Sequence, residues 1–146
     1  MITYNDLVLR NLKKALTDQL TKVFVGVFDH GMRPEGDISN FELAIIHEYG
    51  TDHVPERSFL RRAVLNNQVE FSSLVQRLVH SVFLQKKTMP QVMRELGEWG
   101  VEKTKQTILD GVPPPLDANT IRQKGHAQPL VETMRLFTSV EYRTGE

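Results

Sequence analysis

The 146-residue sequence contains no cysteine, and its charges cancel: 18 Lys and Arg residues balance 18 Asp and Glu residues. Without cysteine there can be no disulfide bond, no cysteine-ligated zinc and no thiol nucleophile. Dedicated binders of nucleic acid or of anionic membranes usually carry a basic excess, so the zero net charge argues against both classes. A specific nucleic-acid partner is therefore not expected.

Long apolar runs are also missing. The longest fall far short of the ~20 residues that cross a bilayer, and Asp6 and Arg10 interrupt the place of a signal-peptide core. The 40% hydrophobic and 25% charged fractions are typical of an ordinary globular domain. We therefore expect a soluble, non-secreted single domain over residues 1–146, with no membrane partner.

The first half of the chain shows both helical and strand periodicity. Lys22–Phe28 alternates with apolar residues on both faces, which predicts an inner strand covered on at least one side by helices. Ser39 and Glu42 form a capping-box pattern ahead of a short helix that ends at Gly50. Before the strand, four leucines at helical spacing predict an amphipathic helix over Asn5–Leu20: Leu9, Leu12, Leu16 and Leu20.

The second half predicts longer helices and a proline-rich connector. An uninterrupted apolar stripe predicts one long helix over Ser58–Gln85. Thr88, with a proline and a glutamine following it, predicts a new helix that stops at Gly111. Within that helix, Gly97 and Gly100 predict either the close approach of another helix or space required by Trp99 between them.

Beyond Gly111, three consecutive prolines predict a stiff connector over residues 112–117 that can hold the C-terminal segment away from the helical body. That segment, residues 118–146, is predicted to contain a short helix closed by Gly125, a helix over Pro129–Phe137 and a strand over Ser139–Thr144. Helices and strands lack the regular alternation of a doubly wound sheet. The predicted class is therefore α+β, with a small antiparallel or mixed sheet packed against several helices, one of them long.

No catalytic motif is complete. His47 and Glu48 begin a zinc-protease pattern, but the next histidine, His53, comes six residues after the first instead of four, and Gly50 lies between them. Nucleophile-elbow and phosphate-binding glycine motifs are absent from the sequence. We predict no enzyme, no metal and no cofactor. The alternative from another class is a small metal-binding hydrolase built from Asp29, His30, His47 and His53.

Three segments in order carry a resemblance to a known family. They are IIHEYGTDHVPERSFLRRAV (Ile45–Val64), ILDGVPPPLDANTIRQKG (Ile108–Gly125) and QPLVETMRLFTSVEYR (Gln128–Arg143). Together they resemble the tail-completion and head–tail joining proteins of tailed bacteriophages, a group that includes the Mu G-like virion morphogenesis proteins and the lambda Z-like minor tail proteins. One departure is Met134, where the family commonly has glycine.

The resemblance implies a structural virion protein of the neck, made in the host cytoplasm, without catalysis or cofactor. It would form a ring, a hexamer or dodecamer on the virion axis. Its partners would be its own copies, the tail tube or tail terminator, and the head connector or adaptor. The alternative within this class is a head-side connector or adaptor. A nucleic-acid-binding accessory protein is a further alternative, disfavoured by the zero net charge.

A ring is built from heterologous contacts, in which one surface meets a different surface of the next copy. We expect the basic group Arg57, Arg61 and Arg62 to meet an acidic surface that contains Glu95, Glu98 and Glu102. The candidate interface is completed by Pro114, Pro115, Tyr142 and Arg143. Phe59 is assigned to the core. For Arg57, a partner contact and a hydrogen bond to a loop carbonyl remain open.

Overall fold

The computed structural model describes residues 6, 9–10, 13, 22–30, 38–115, 122 and 134–145. Within these residues there are five helices and two strands, and the predicted α+β class is confirmed. In chain order the elements are β1 (Lys22–Gly26), α1 (Asn40–Tyr49), α2 (Phe59–Asn66), α3 (Gln68–Phe83), α4 (Met89–Asp110), α5 (Arg135–Ser139) and β2 (Glu141–Gly145).

Some predicted elements fall mainly outside this description. In the predicted first helix, Asp6, Leu9, Arg10 and Lys13 are helical, and the other positions of Asn5–Leu20 lie outside the described residues. The predicted helix that Gly125 closes also lies outside them, except for Arg122, which is helical. Of the helix predicted over Pro129–Phe137, the described part belongs to α5.

Two predicted capping boxes start helices as expected. At α1, Ser39 Oγ accepts the Glu42 N–H at 3.1 Å, and Glu42 Oε2 accepts the Ser39 N–H at 2.9 Å. At α4, Gln91 Oε1 accepts the Thr88 N–H at 2.8 Å. Both helices end at a glycine with positive φ, 73° at Gly50 and 86° at Gly111, a conformation that glycine adopts without a Cβ penalty.

The single long helix predicted over Ser58–Gln85 is wrong. The chain leaves helical geometry at Asn67, where φ is −118° and ψ is 21°, so α2 and α3 are separate helices. The Asn67 side chain donates a hydrogen bond from Nδ2 to the Ala63 carbonyl at 2.8 Å. Side-chain bonds of this kind compete with the backbone ladder of a helix. The longest helix is instead α4, with 22 residues and a length of about 33 Å.

The sheet is formed within one chain. β1 and β2 pair antiparallel, with Val25 opposite Tyr142 and Phe24 opposite Arg143. In the part of the chain that the structure describes, β1 has this one strand neighbour, so the predicted inner position is not observed there. The predicted helical cover on at least one side is present, because α4 packs against β1. Phe24, on the outer face, is 52% exposed, and among the described residues the helix that packs on the sheet, α4, lies on the inner face.

The described part of the C-terminal segment, residues 134–145, packs into the core. Leu136 and Val140 are 2% and 3% exposed, in one apolar cluster with Phe59, Ile108 and Val112. The proline connector therefore does not hold this segment away from the helical body, and that prediction is wrong. The cause is the apolar burial of Leu136 and Val140, which outweighs any spacing effect of the prolines. The assignment of Phe59 to the core is confirmed.

Two glycines of α4 allow the sheet to pack closely against this helix. A Cβ added at Gly97 would lie 2.5 Å from Tyr142 Cγ, and one added at Gly100 would lie 2.7 Å from Val25 Cγ2. The close approach that these glycines predicted is real, but the approaching element is a strand and not a helix. A second apolar cluster of Leu78, Val92 and Met93 fixes α3 against the N-terminal half of α4.

Candidate interaction surface

An open apolar groove of about 630 Å³ lies between β1, α2, α3 and α4. We call it the apolar groove, and its principal lining residues are Val23, Val25, Leu60, Leu65, Phe71 and Trp99. Concave, mostly apolar surfaces of this size are the usual place for a ligand or partner group to bind. The groove is therefore the strongest candidate site among the described residues.

The outer wall of the groove exposes large apolar side chains. Val64 and Leu65 are 53% and 61% exposed, and Phe71 is 37% exposed. Val69, in the first turn of α3, is 83% exposed but does not line the groove. Contiguous apolar exposure of this kind marks protein interaction surfaces more often than it marks an isolated folded chain.

The opposite wall of the groove is formed by an aromatic pair, and polar contacts of Glu70 hold it in place. The rings of Phe71 and Trp99 have centroids 5.2 Å apart. Glu70 accepts the Trp99 Nε1–H at 2.9 Å and pairs with Lys103 Nζ at 2.8 Å. The hydrogen bond from Lys103, followed by that from Trp99, holds the pKa of Glu70 below its usual value, and the same contact raises the pKa of Lys103. The wall is thus tied across α3 and α4.

Glu48 anchors the helix that carries the exposed wall. Its buried carboxylate accepts the backbone N–H groups of Leu60 at 2.9 Å and Arg61 at 3.1 Å. These are free N–H groups in the first turn of α2, where a negative charge is favoured by the helix dipole. A side chain from α1 thereby fixes the start of α2.

The predicted basic group is drawn into internal contacts. Arg61 Nε donates to Glu48 at 3.0 Å and Nη2 donates to Glu56 at 3.0 Å; the hydrogen bond to Glu48 is the main cause that raises the pKa of Arg61. Arg57 is buried, and its Nε donates to the Pro114 carbonyl at 3.0 Å. Burial lowers the pKa of Arg57. For Arg57, the structure therefore selects the loop-carbonyl bond. Arg62 is half-buried, and its Nε is buried without a hydrogen-bond partner.

The predicted acidic group divides into two parts. Glu95 pairs with Lys87, whose Nζ lies 2.5 Å from Oε2. Glu98 and Glu102 are exposed and line a smaller depression of about 400 Å³, together with Tyr142. Glu98 and Glu102 therefore remain available as the acidic surface that a ring contact would use, and this role stays a prediction.

The remaining interface candidates lie on different faces. Tyr142 points to the inner face of the sheet, against α4. Arg143 lies on the outer face, with its guanidinium 4.2 Å from the ring centroid of Phe28 and Nη2 donating to Glu141 at 3.1 Å. Pro114 and Pro115 are exposed beyond α4. The structure therefore does not unite these four in one patch.

The hydrolase constellation is not assembled. His30 Nε2 lies 2.9 Å from Glu141 Oε1 on the outer face of the sheet. The His53 N–H donates to Thr51 in the turn after α1, and Glu48 is occupied in capping α2. Across the described ranges, no three His, Asp or Glu side chains are grouped so as to hold a metal ion. The same ranges contain no helix that combines the length and apolar character needed to span a bilayer.

Sequence reasoning did not identify the apolar groove. Val64 and Phe71 belong to the apolar stripe that predicts a helix over Ser58–Gln85, and such a stripe predicts burial. In the structure they are 53% and 37% exposed. Adjacency of Val64 and Leu65 is no signal of exposure, because the adjacent Val92 and Met93 of α4 are both buried.

Comparison with known proteins adds no relative. No protein-family model, no curated protein and no solved structure matches the chain. The functional proposal is accordingly built on the contacts described above and on the three motif segments.

Proposed function

We propose that this chain is a structural subunit of the neck of a tailed bacteriophage. It completes the head-proximal end of the tail, or joins the tail to the capsid connector, as an oligomeric ring and without catalysis. The proposal comes from the resemblance of the three motif segments, and one structural observation supports it: those segments meet in a single packed unit.

The packed unit combines residues from all three segments. Phe59 of the first segment, Ile108 and Val112 of the second, and Leu136 and Val140 of the third form one buried cluster. Residues separated by up to 81 positions in the sequence therefore depend on one another for burial. Motif segments that bury one another in one cluster are expected when the motifs specify a fold and not a catalytic site.

Polar residues of the motifs also serve the fold. Arg57, from the first segment, donates to the Pro114 carbonyl of the second. Glu48, in the first segment, caps α2. These motif groups make hydrogen bonds within the chain. The surfaces that remain for contact with partners are therefore the apolar groove and the exposed Glu98 and Glu102. This arrangement suits a subunit whose chemistry is burial of surface between copies.

Electron microscopy of phage lysates tests the proposal. In a phage that encodes this chain, a nonsense mutation in its gene should yield filled heads beside separate tails. Adding the purified chain should restore joined particles. Intact infectious particles from the nonsense mutant would contradict the proposal.

The order of addition separates the two locations within the neck. Tails incubated with the purified chain and then freed of excess protein should join untreated heads if the chain completes the tail. If treated heads join untreated tails instead, the chain is a head-side adaptor. Heads and tails from a mutant in an unrelated structural gene provide the control for spontaneous joining.

A further inference from the structure

The turn between α3 and α4 presents an apolar side chain among basic groups. Leu84, directly after α3, is 47% exposed, and Lys86 in the turn and Arg77 on α3 are exposed as well. Because Arg77 and Leu84 are separated by seven positions, they lie on one side of the helix. Lys86 forms no ion pair with any residue that the structure describes. We call Arg77, Leu84 and Lys86 the basic turn.

Backbone hydrogen bonds hold the basic turn in one conformation. The Leu84 N–H donates to the His80 carbonyl at 3.0 Å, and the Lys86 N–H donates to the Ser81 carbonyl at 2.9 Å. Between them, Gln85 has a φ of 56°, in the left-handed region where helices commonly end. Since this backbone is already ordered, a partner that binds here pays little to fix it.

The depression beside β2 has the opposite charge and apolar surface of its own. Its lining residues are Glu98, Val101, Glu102, Glu141 and Tyr142. Glu141 pairs with Arg143 at 3.1 Å, whereas Glu98 and Glu102 are exposed and form no ion pair in the described ranges. We call this surface the acidic depression. It combines apolar side chains with two carboxylates that lack a cationic partner, which suits an apolar side chain flanked by a cation.

The basic turn cannot reach the acidic depression of its own chain. The turn precedes Met89, the first residue of α4, and Val101 follows Met89 by 12 positions in the same helix. At 1.5 Å per residue, these 12 positions separate the two surfaces by about 18 Å. A continuous helix fixes this separation, so contact between the two surfaces requires a second copy of the chain.

The contact also resolves which basic surface a ring would use. Arg57 and Arg61, which the sequence assigned to this role, donate hydrogen bonds within their own chain. Lys86 has no such internal partner among the described residues. The basic turn is therefore the better match for the carboxylates of a neighbouring copy.

We infer that the basic turn of one copy binds in the acidic depression of the next copy. Leu84 enters the depression against Val101 and Tyr142, and Lys86 lies beside Glu98. Because the two surfaces differ, the contact is heterologous and closes into a ring when the rotation allows. This inference rests on the proposed function for ring closure alone; the contact itself follows from the two surfaces.

Single substitutions in the full-length chain test the contact, with self-association measured by sedimentation equilibrium at low salt. Lys86→Glu reverses the charge of the turn, and Glu98→Lys reverses that of the depression. Each should weaken self-association by about tenfold or more, because like charges then face each other. Leu84→Asp should weaken it by at least as much. Asp52→Lys is the matched control, because Asp52 is exposed in the turn after α1, outside both surfaces, and it should associate like the wild-type chain.

The double variant distinguishes this pairing from a general effect of charge. In Lys86→Glu combined with Glu98→Lys, opposite charges face each other again across the contact. Self-association should return to within about threefold of the wild-type value. Circular dichroism should show each variant folded, and Glu102→Lys replaces Glu98→Lys if the latter is not.

Three results would overturn the inference: a wild-type chain that is monomeric at every concentration, single variants that associate like the wild-type chain, or a double variant as weak as the single ones. A monomeric wild-type chain that still joins heads to tails would overturn this contact and leave the proposed function intact. Association through this contact, together with intact particles from the nonsense mutant, would overturn the proposed function instead.

Discussion

The buried carboxylate of Glu48 provides the sharpest test of how the exposed wall is held in place. In Glu48→Gln, one of the two oxygens is replaced by an amide group that donates hydrogen bonds. Oε2 accepts the Leu60 N–H, and Oε1 accepts the Arg61 N–H. Whichever way the amide turns, one buried N–H of α2 then faces another donor.

The expected loss can be worked from these contacts. A hydrogen bond to a charged acceptor contributes about 1.5–3 kcal/mol, and a negative charge at a helix N-terminus adds about 0.3–1 kcal/mol. Glu48→Gln should therefore lower the free energy of unfolding by about 2–4 kcal/mol. In thermal unfolding this corresponds to a fall in Tm of roughly 5–15 °C for a chain of this size.

Glu56→Gln is the matched control. Glu56 binds the same guanidinium, that of Arg61, but its side chain is 52% exposed. Exposed ion pairs contribute little to stability, so this variant should unfold like the wild-type chain. Urea unfolding followed by circular dichroism compares both variants. The reasoning is refuted if Glu48→Gln is as stable as Glu56→Gln.

Two further predictions concern the packing against α4. Gly97→Ala should lower the free energy of unfolding, measured in urea, by about 1–3 kcal/mol, because the new Cβ overlaps the Tyr142 ring. Gly26→Ala is the control and should change stability little, because nothing lies within 4 Å of its new Cβ. Equal effects of the two substitutions would contradict this packing. The fluorescence of Trp99, the one tryptophan of the sequence, should report the protonation of Glu70. Since the folded-state pKa of Glu70 is depressed, its stabilising contact is present at neutral pH and is lost as the pH falls through that lowered pKa. Glu70→Gln should abolish this acid transition in the emission, and its persistence would contradict the assignment.

Local signals in the sequence predicted local structure well. The capping boxes at Ser39 and Thr88 and the glycine ends at Gly50 and Gly111 depend on residues within one turn of each other. Their outcome is therefore decided by short-range hydrogen bonds, and tertiary contacts do not override it. The C-terminal strand was also predicted, from its alternation.

Long-range outcomes could not be predicted in the same way. The break at Asn67 is a local exception: its side chain bonds to the Ala63 carbonyl four residues earlier, and the surrounding apolar pattern does not mark it. The burial of the Arg57 side chain depends on its hydrogen bond to the Pro114 carbonyl, 57 residues away in the sequence. No sequence pattern pairs these two residues. Gly97 and Gly100 indicated a close approach, but identifying the approaching element needs the topology that pairs β1 with β2.

Immunogold electron microscopy of purified virions tests the central claim most directly. Antibody against the chain should label the junction between head and tail, with one cluster of gold per particle. The same antibody should label neither the heads nor the separate tails of the nonsense mutant. Gold spread over the capsid, or particles without gold that remain infectious, would contradict a role in the neck.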